Sequence, residues 1–443
     1  MMHSFYLRGL GFFNDAYDLS VINIINVILQ HQYGPSVYTS QLQSAVSASA
    51  LLGAVLGQLV FGFLGDVYGR KKCMVVTCVL LIVGGALCGA ACGPDPATTL
   101  WFLVVARGIL GFGIGGEYPL AAASSAEDAT SPAERNTRVA LTFSLQGVGF
   151  LVASLMGLLF IALLEETPET LEMMWRGLFL VGVLPALFLV KHRWTADETA
   201  DFQHRECRHV TVPWSFVLRH YGRALVGTAG TWFLFDIVFY AQNLFSASIL
   251  AVVGAADRPS LVTVAWQNVA VSVLALPGYY VAVYYINSLG RRRMQLLGLA
   301  AMLLIFLVLG LSWHALQTSP VLFVLLFGLT LFFSNFGPNM ATFVFPTELF
   351  PTPIRSSCHG LSAAMGKVGA AVGSYGFSLS VQVPGFGFPG VFFTFALLCL
   401  VAISLTFFCL FDNTDGPAAL DAAFYARVQQ RGEEKPLKTT AFV

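Results

Sequence analysis

Apolar residues run along this chain in about twelve stretches of roughly twenty, each long enough to cross a bilayer as a helix. They lie near 10–32, 41–64, 73–92, 98–122, 138–164, 174–192, 223–250, 263–286, 294–315, 320–345, 357–381 and 388–411. Continuous runs of this length predict α-helices, because the strands of a barrel would appear as short segments alternating apolar with polar positions. The expected fold is an all-α membrane protein of twelve transmembrane helices. The polar, basic segment 194–222 divides six spans from six. This gives an N-terminal bundle over 1–193, a linker over 194–222, a C-terminal bundle over 223–412 and a tail over 413–443. Linker and tail are too short to hold a soluble catalytic module, so no enzyme is expected.

Composition agrees with the pattern. Of 443 residues, 56% are hydrophobic and only 11% charged, against about 25% charged in soluble domains. Net charge is zero and gives no sign of nucleic acid as a partner; the lipid bilayer is the expected surrounding. Twenty of the 24 Lys and Arg residues fall on one side of the threading, and only Arg176 and Arg258 on the other. The positive-inside rule then places both termini in the cytoplasm. No small-residue cleavage site follows a leader, so the first helix is expected to be its own targeting signal, with the plasma membrane as destination. Most of the eight cysteines lie within spans and only Cys92 is near the outer face, so neither a disulfide framework nor a metal site is indicated, and no cofactor is called for. The histidines flank or lie outside spans. Any proton carrier at mid-membrane is therefore expected to be a carboxyl.

The turn after the second span reads GDVYGRKK and the turn after the eighth reads NSLGRRR. Aligning Gly69 with Gly290 fixes an offset of 221, which without gaps pairs Asp15 with Asp236, Tyr118 with Asn339, Gln146 with Lys367 and Glu127 with Glu348. Coincident acids in a chain so poor in charge argue for a six-plus-six repeat. Parallel repeats of this kind place a solute site at their interface, near the midplane. The GRKK and GRRR clusters put cations where they can meet carbonyls or an acid on a neighbouring helix.

Within the spans, Asp236 stands in GTAGTWFLFDIVFYAQNLF with no basic neighbour. A carboxyl at that depth is costly and normally lines a polar pathway. Trp232 and Tyr240, four residues either side, share its helix face. The run from Arg107 to Leu120, RGILGFGIGGEYPL, combines glycines suited to close helix contact with Glu117 and Tyr118 deep in a span. A nucleotide-binding reading of those glycines fails, since no strand precedes them. Arg107 is placed to neutralise Glu117 or another acid. Asp15 and Asp18 lie three apart in the first span, either able to relay a proton. Gln146 is an ordinary interhelical amide, whereas Lys367, a lone deep cation, is expected to attend an anion or an acid.

The segments GFFNDAYDL, GGEYPLAAASSAE, GTAGTWFLFDIVFYAQN and NFGPNMATFVFPTELFPTPIRSSCHGLSAAMGKVGA resemble the phosphate:proton symporter family of the major facilitator superfamily, from the first span through the eleventh. The resemblance implies that inorganic phosphate is held by Tyr118, Gln146, Trp232, Asp236, Tyr240 and Asn339, with Asn335 as the alternative to the last. It implies coupling to protons through Asp15, Asp18, Glu117 and Asp236, sodium being the other possible ion. Arg107 and Lys367 would serve as charge partners. The chain departs from the family at Glu117, where aspartate is usual, in a shorter central loop, and after the last span, where FDNTDG replaces a PETKG-like ending.

Neutral donors suit an oxyanion that must be released again. An ionised Asp236 would repel that anion in a low dielectric, and a bound proton removes the repulsion. The expected function is proton-coupled import of phosphate by rocking of the two halves. A facilitator for sugars or organic ions, or a non-transporting phosphate sensor, are the rival readings.

Overall fold

The computed structural model describes residues 2–127, 129, 131–195, 212–244, 246, 260–381, 383–413 and 417–434. Most of the linker 194–222, with Arg205 and Arg208, lies outside the described residues, as do Arg258, Lys435 and Lys438. The first passage is made of α1 (Met2–Ser20) and α2 (Ile22–Val37). The first half continues with α3 (Ser40–Tyr68), α4 (Arg70–Gly89), α5 (Pro96–Glu127), α6 (Pro132–Leu163) and α7 (Pro168–Thr195). The second half begins with α8 (Trp214–Leu244), α9 (Leu261–Tyr285), α10 (Arg291–Leu311) and the short α11 (Trp313–Leu316). Its next passage is broken into α12 (Pro320–Ser334), a π-helical turn at Asn335–Asn339, and α13 (Met340–Leu349). It ends with α14 (Thr352–Ser380), α15 (Gly387–Cys409) and α16 (Pro417–Glu434).

Among the described residues, eleven helical passages are long and apolar enough to cross a membrane. The other long helix, α14, has 29 residues but a polar composition. It lies against α8 and α3, burying Arg355, Ser356, His359, Ser362 and Lys367. Its polarity is spent on neighbours inside the bundle, which is why hydropathy alone undervalues it.

The packing repeats with the sequence. α1 lies on α6 and α4 on α7, as α8 lies on α14 and α10 on α15. The halves meet where α3 packs on α14 and α6 on α9, two contacts that the repeat interchanges. Gly69 and Gly290, the residues that set the alignment, have φ of 99° and 84°, a region that side chains other than glycine's rarely enter. Each turn delivers an arginine to the acid at the equivalent place. Arg70 donates to Glu127 at 2.7 Å, and Arg291 donates to both oxygens of Glu348, through Nε at 2.7 Å.

Glycines let α3 and α5 approach. A Cβ at Gly111 or Gly115 would strike the carbonyl oxygen of Ala50 or Ala54. Beyond the last span, Asp412 accepts from the backbone N–H of Arg292 at 2.9 Å, and Arg291 donates to the carbonyl of Asn413 at 3.2 Å. The unusual FDN ending thus caps the second half's basic turn. The amphipathic α16 then folds back, its Asp421 accepting from Thr352 N–H at 2.7 Å at the start of α14.

Candidate functional site

Six helical segments converge on a buried polar cage between the halves. α5 supplies Tyr118, α6 Gln146, α8 Trp232, Asp236 and Tyr240, α9 Tyr279, the π-turn Asn335 and Asn339, and α14 Lys367. All are buried. Gln146 donates to the Tyr118 hydroxyl at 3.0 Å and accepts from Tyr279 at 2.8 Å and Asn339 at 3.2 Å. Asn339 also reaches Tyr279 Oη and Asn335 Oδ1, each at 2.9 Å, whereas Asn335 donates to the carbonyl of Ala275 at 3.1 Å. Of the two asparagines, Asn339 is the one that faces the first half. Lys367 Nζ lies 3.3 Å from Asp236 Oδ2, between the rings of Tyr118 and Tyr240 at 4.8 and 4.6 Å. Trp232 sits one turn from Asp236 with its edge toward His359, 5.6 Å away.

Asn335 and Asn339 stand at the two ends of a π-helical turn over NFGPN. Such turns widen a helix by one residue and occur mainly at functional sites. Pro338 offers no N–H, and Gly337 packs so tightly on α10 that a Cβ would lie 2.7 Å from the Cα of Gly298. The sequence pairing of Tyr118 with Asn339 does not foretell the turn, because α5 passes the equivalent point as a regular helix.

Three acids of the first half, Asp15, Asp18 and Glu117, are buried near the cage in different surroundings. Glu117 takes both nitrogens of the Arg193 guanidinium, Nη1 at 2.8 Å, and accepts from Thr77 at 3.1 Å. Gly11, one turn before Asp15, makes room for that pair, since a Cβ there would strike both partners. Arg107, offered by the sequence as a partner for Glu117, instead donates to the Val46 carbonyl at 2.8 Å and acts on Asp18. Asp18 accepts from Asn14 at 3.0 Å. Asp15 is fully buried, and neither of its oxygens has a hydrogen-bond partner among the described residues. It lies in the combined field of Glu117, Asp18, Arg193 and Lys367.

Two expectations from the sequence need correction. Arg193 reads as one of the loop cations that set topology, yet it is buried inside the bundle, because the last turn of α7 runs in beside α4 and α5. The histidines read as lying outside the spans, yet His359 is fully buried in α14, with Nε2 3.2 Å from the Phe343 carbonyl. Tyr279 carries no signal in the sequence; in LPGYY it looks like packing, and only the fold turns its hydroxyl toward Gln146.

Among the described residues, contacts between the halves close both ends of the passage. At the basic end Asp66 accepts from the backbone of Ser356 at 3.3 Å and Ser357 at 2.7 Å. Arg355 approaches Glu127 to 3.6 Å. Between this end and the cage, Phe343 of the second half stacks on Phe143 at 4.4 Å and meets Phe12 at 4.9 Å, both of the first. At the opposite end Asn23 donates to Ser246 at 2.8 Å and Asn268 at 2.9 Å, and Ser154 meets Ser272 at 3.0 Å. A cavity of about 30 Å³ beside Tyr279 and Asn335 is the space left there, enough for a water molecule.

Paired six-helix halves around an occluded polar cage define a secondary transporter of the major facilitator fold. The proton:xylose symporter XylE bound to 6-bromo-6-deoxy-D-glucose superposes with a TM-score of 0.80 over 95% of this chain and 98% of that one, at 18% identity. The inward-open conformation of XylE from E. coli superposes with a TM-score of 0.70 over 95% of this chain and 98% of that one, at 19% identity. The model of the sugar (and other) transporter family matches residues 8–210 and 203–414, and the chain belongs to that family. Among its relatives is "Probable inorganic phosphate transporter 1-6" of Arabidopsis thaliana, 34% identical over 90% of this chain and 89% of that protein. "Inorganic phosphate transporter 1-6" of Oryza sativa subsp. japonica is 33% identical over 98% and 94%. "Low affinity inorganic phosphate transporter 4" of Lotus japonicus is 34% identical over 84% and 81%.

Proposed function

We propose that this protein imports inorganic phosphate together with protons, by rocking of residues 1–193 against 223–412 around the central cage. The basic end then faces the cytoplasm with both termini, and the membrane is the plasma membrane. Relatives named as inorganic phosphate transporters support the substrate. The Lys367–Asp236 pair, 3.3 Å apart and enclosed by uncharged donors, carries the coupling argument.

Empty, the pair is neutral. Phosphate monoanion entering alone would leave one net negative charge in a medium of low dielectric, a large cost. Phosphate entering with one proton leaves the cage neutral again. Lys367 turns its ammonium to the anion, Asp236 takes the proton, and Tyr118, Gln146, Trp232, Tyr240, Tyr279 and Asn339 supply hydrogen bonds that can be given up on release. Because proton and anion each favour the other's binding, the linkage is reciprocal. Asp15 is the second proton acceptor, since it has no partner to surrender. Glu117 is fixed by Arg193 and Thr77 beside Asp15, while Asp18 is steadied by Asn14 and Arg107.

Uptake of labelled phosphate into proteoliposomes, with an inward proton gradient, an inward sodium gradient or neither, tests this reading. Accumulation with the proton gradient alone is expected. Accumulation that follows sodium, or labelled hexose uptake in place of phosphate, would overturn it.

A further inference from the structure

Charges at the basic end are unevenly matched. Arg70 is held by Glu127 and Asp66, at 2.7 and 3.0 Å, and Arg291 by Glu348 with Asp412 at 3.6 Å. Arg355 has Glu127 only at 3.6 Å, and its Nη1 and Nη2 make no hydrogen bond among the described residues. Arg135 is less satisfied still. It is fully buried, its Nε makes one long bond of 3.4 Å to Asn136, and its Nη1 and Nη2 have no partner among the described residues. No acid stands within 4 Å of it among the described residues, and the charges acting on it are those of Arg355 and Arg291.

A buried guanidinium facing like charge is destabilising unless an anion joins it. Two such forks together present the planar N–H pattern that binds phosphate oxygens in pairs. Their place in the fold fits a passage. Arg135 opens α6, and Phe143 and Gln146 follow on the same helix; Arg355 opens α14, and His359 and Lys367 follow. At 1.5 Å per residue each arginine lies about 17 Å along its helix from the cage. One belongs to each half, so the parting of the halves at this end opens the space between them.

We propose that Arg135 and Arg355 form a second anion site, which takes phosphate from the cage once the Phe143–Phe343 stack separates and delivers it to the cytoplasm. The site rests on the phosphate reading above and adds a step to it. Phosphate returning from the cytoplasm meets these arginines first.

The test compares the two faces of the reconstituted full-length protein, using inorganic phosphate as probe. In Arg135→Gln, half-saturation for phosphate–phosphate exchange from the cytoplasmic face rises roughly tenfold or more, the effect of losing a charge-assisted partner, while that from the outer face shifts by less than about twofold. Arg135→Lys, which keeps charge but not the fork, falls between. Equal shifts at both faces, or no shift at either, overturn the second site. Should Arg135→Gln fail to fold, Arg135→Lys and Arg355→Lys take its place: a rise confined to the cytoplasmic face supports the site, and equal or absent shifts overturn it. Absence of phosphate uptake by the unmodified protein would instead overturn the transport reading itself.

Discussion

Asp15 and Asp236 occupy equivalent places in the two halves, yet their surroundings differ because one later position differs. Lys367 stands where the first half has Gln146, and it pairs with Asp236 at 3.3 Å. Gln146 turns away toward Tyr118, Tyr279 and Asn339, leaving Asp15 without a hydrogen bond. One duplicated frame thus yields an acid tied to a cation and an acid that is free. The repeat supplies the geometry, and a single exchange of amide for ammonium decides which of the two acids has a charged partner.

Breaking either acid has the largest expected effect, and the manner of failure distinguishes them. Asp236→Asn should abolish phosphate accumulation and leave an exchange that no longer depends on pH, since the amide stands in for the protonated acid and Lys367 has no counter-ion until the anion arrives. Asp15→Asn should abolish accumulation against a gradient while phosphate exchange persists. Accumulation by either variant, measured in proteoliposomes, would show that the acid has no coupling role.

The pairing itself can be tested through stability. Lys367→Gln makes the second half resemble the first but leaves a buried carboxylate uncompensated, a loss of about 3–5 kcal/mol. Adding Asp236→Asn should recover most of it. A thermal denaturation series in detergent in which the double variant is no better than the single one would mean that the two groups act independently.

Within the cage, Tyr118→Phe and Tyr279→Phe each remove one hydroxyl on opposite sides of Gln146. Phosphate binding should weaken by roughly 1–3 kcal/mol in each case, measured by calorimetry. Unchanged affinity in one of them would assign that hydroxyl to closing the empty cage only.

At the two basic turns, Gly69→Ala and Gly290→Ala should each cost about 1–3 kcal/mol of stability for a strained backbone. Gly290→Ala should cost more, because its Cβ would also press on the Asp412 carboxylate 2.5 Å away. Equal losses would mean that Asp412 gives way freely.

The smallest effect concerns how the fourth passage of each half begins. Asp95 accepts from Thr98 N–H at 2.9 Å and Thr98 Oγ1 at 2.7 Å at the start of α5, whereas α12 starts with no side-chain cap. Those bonds hold the Asp95 carboxyl below its ordinary pKa of 3.8. Its contribution is therefore present above that ordinary value and is lost as pH falls through the depressed one. Asp95→Asn should remove the acid-side dependence at this position while changing neutral-pH stability slightly, as proteolysis of the 90–96 turn would report.

The frame of the molecule is legible in the sequence because it rests on features that sequence encodes directly. Long apolar runs give the helices, and Gly69 with Gly290 marks the repeat through a backbone conformation that needs glycine. The convergence of Tyr118, Gln146, Asp236 and Asn339 can be anticipated, because buried polar groups are rare enough in this chain to be paired. Lone positions whose meaning comes from a neighbouring helix are not legible. Arg193 reads as one more basic residue at a helix end until α7 packs against α4. His359 and Tyr279 stand in ordinary polar or aromatic company. The π-turn leaves only the hint of Gly337 and Pro338, and the row of hydroxyls and amides at the opposite end, Asn23, Ser246, Asn268, Ser154 and Ser272, has no local pattern at all.

The hydrogen bonds that Gln146 makes to Tyr118, Tyr279 and Asn339 bear on the return stroke. A carrier that moves its cargo one way must come back with nothing in it, and an enclosed polar chamber without cargo ordinarily leaves donors and acceptors stranded at considerable cost. Here Gln146, Tyr118, Tyr279 and Asn339 satisfy one another across the two halves, and the chamber's lysine and aspartate neutralise each other. Under the proposed coupling, the vacant transporter closes and returns unaided, whereas a carrier loaded with anion but no proton would hold an unbalanced charge; the Lys367–Asp236 pair that eases the empty return would also bar the leak.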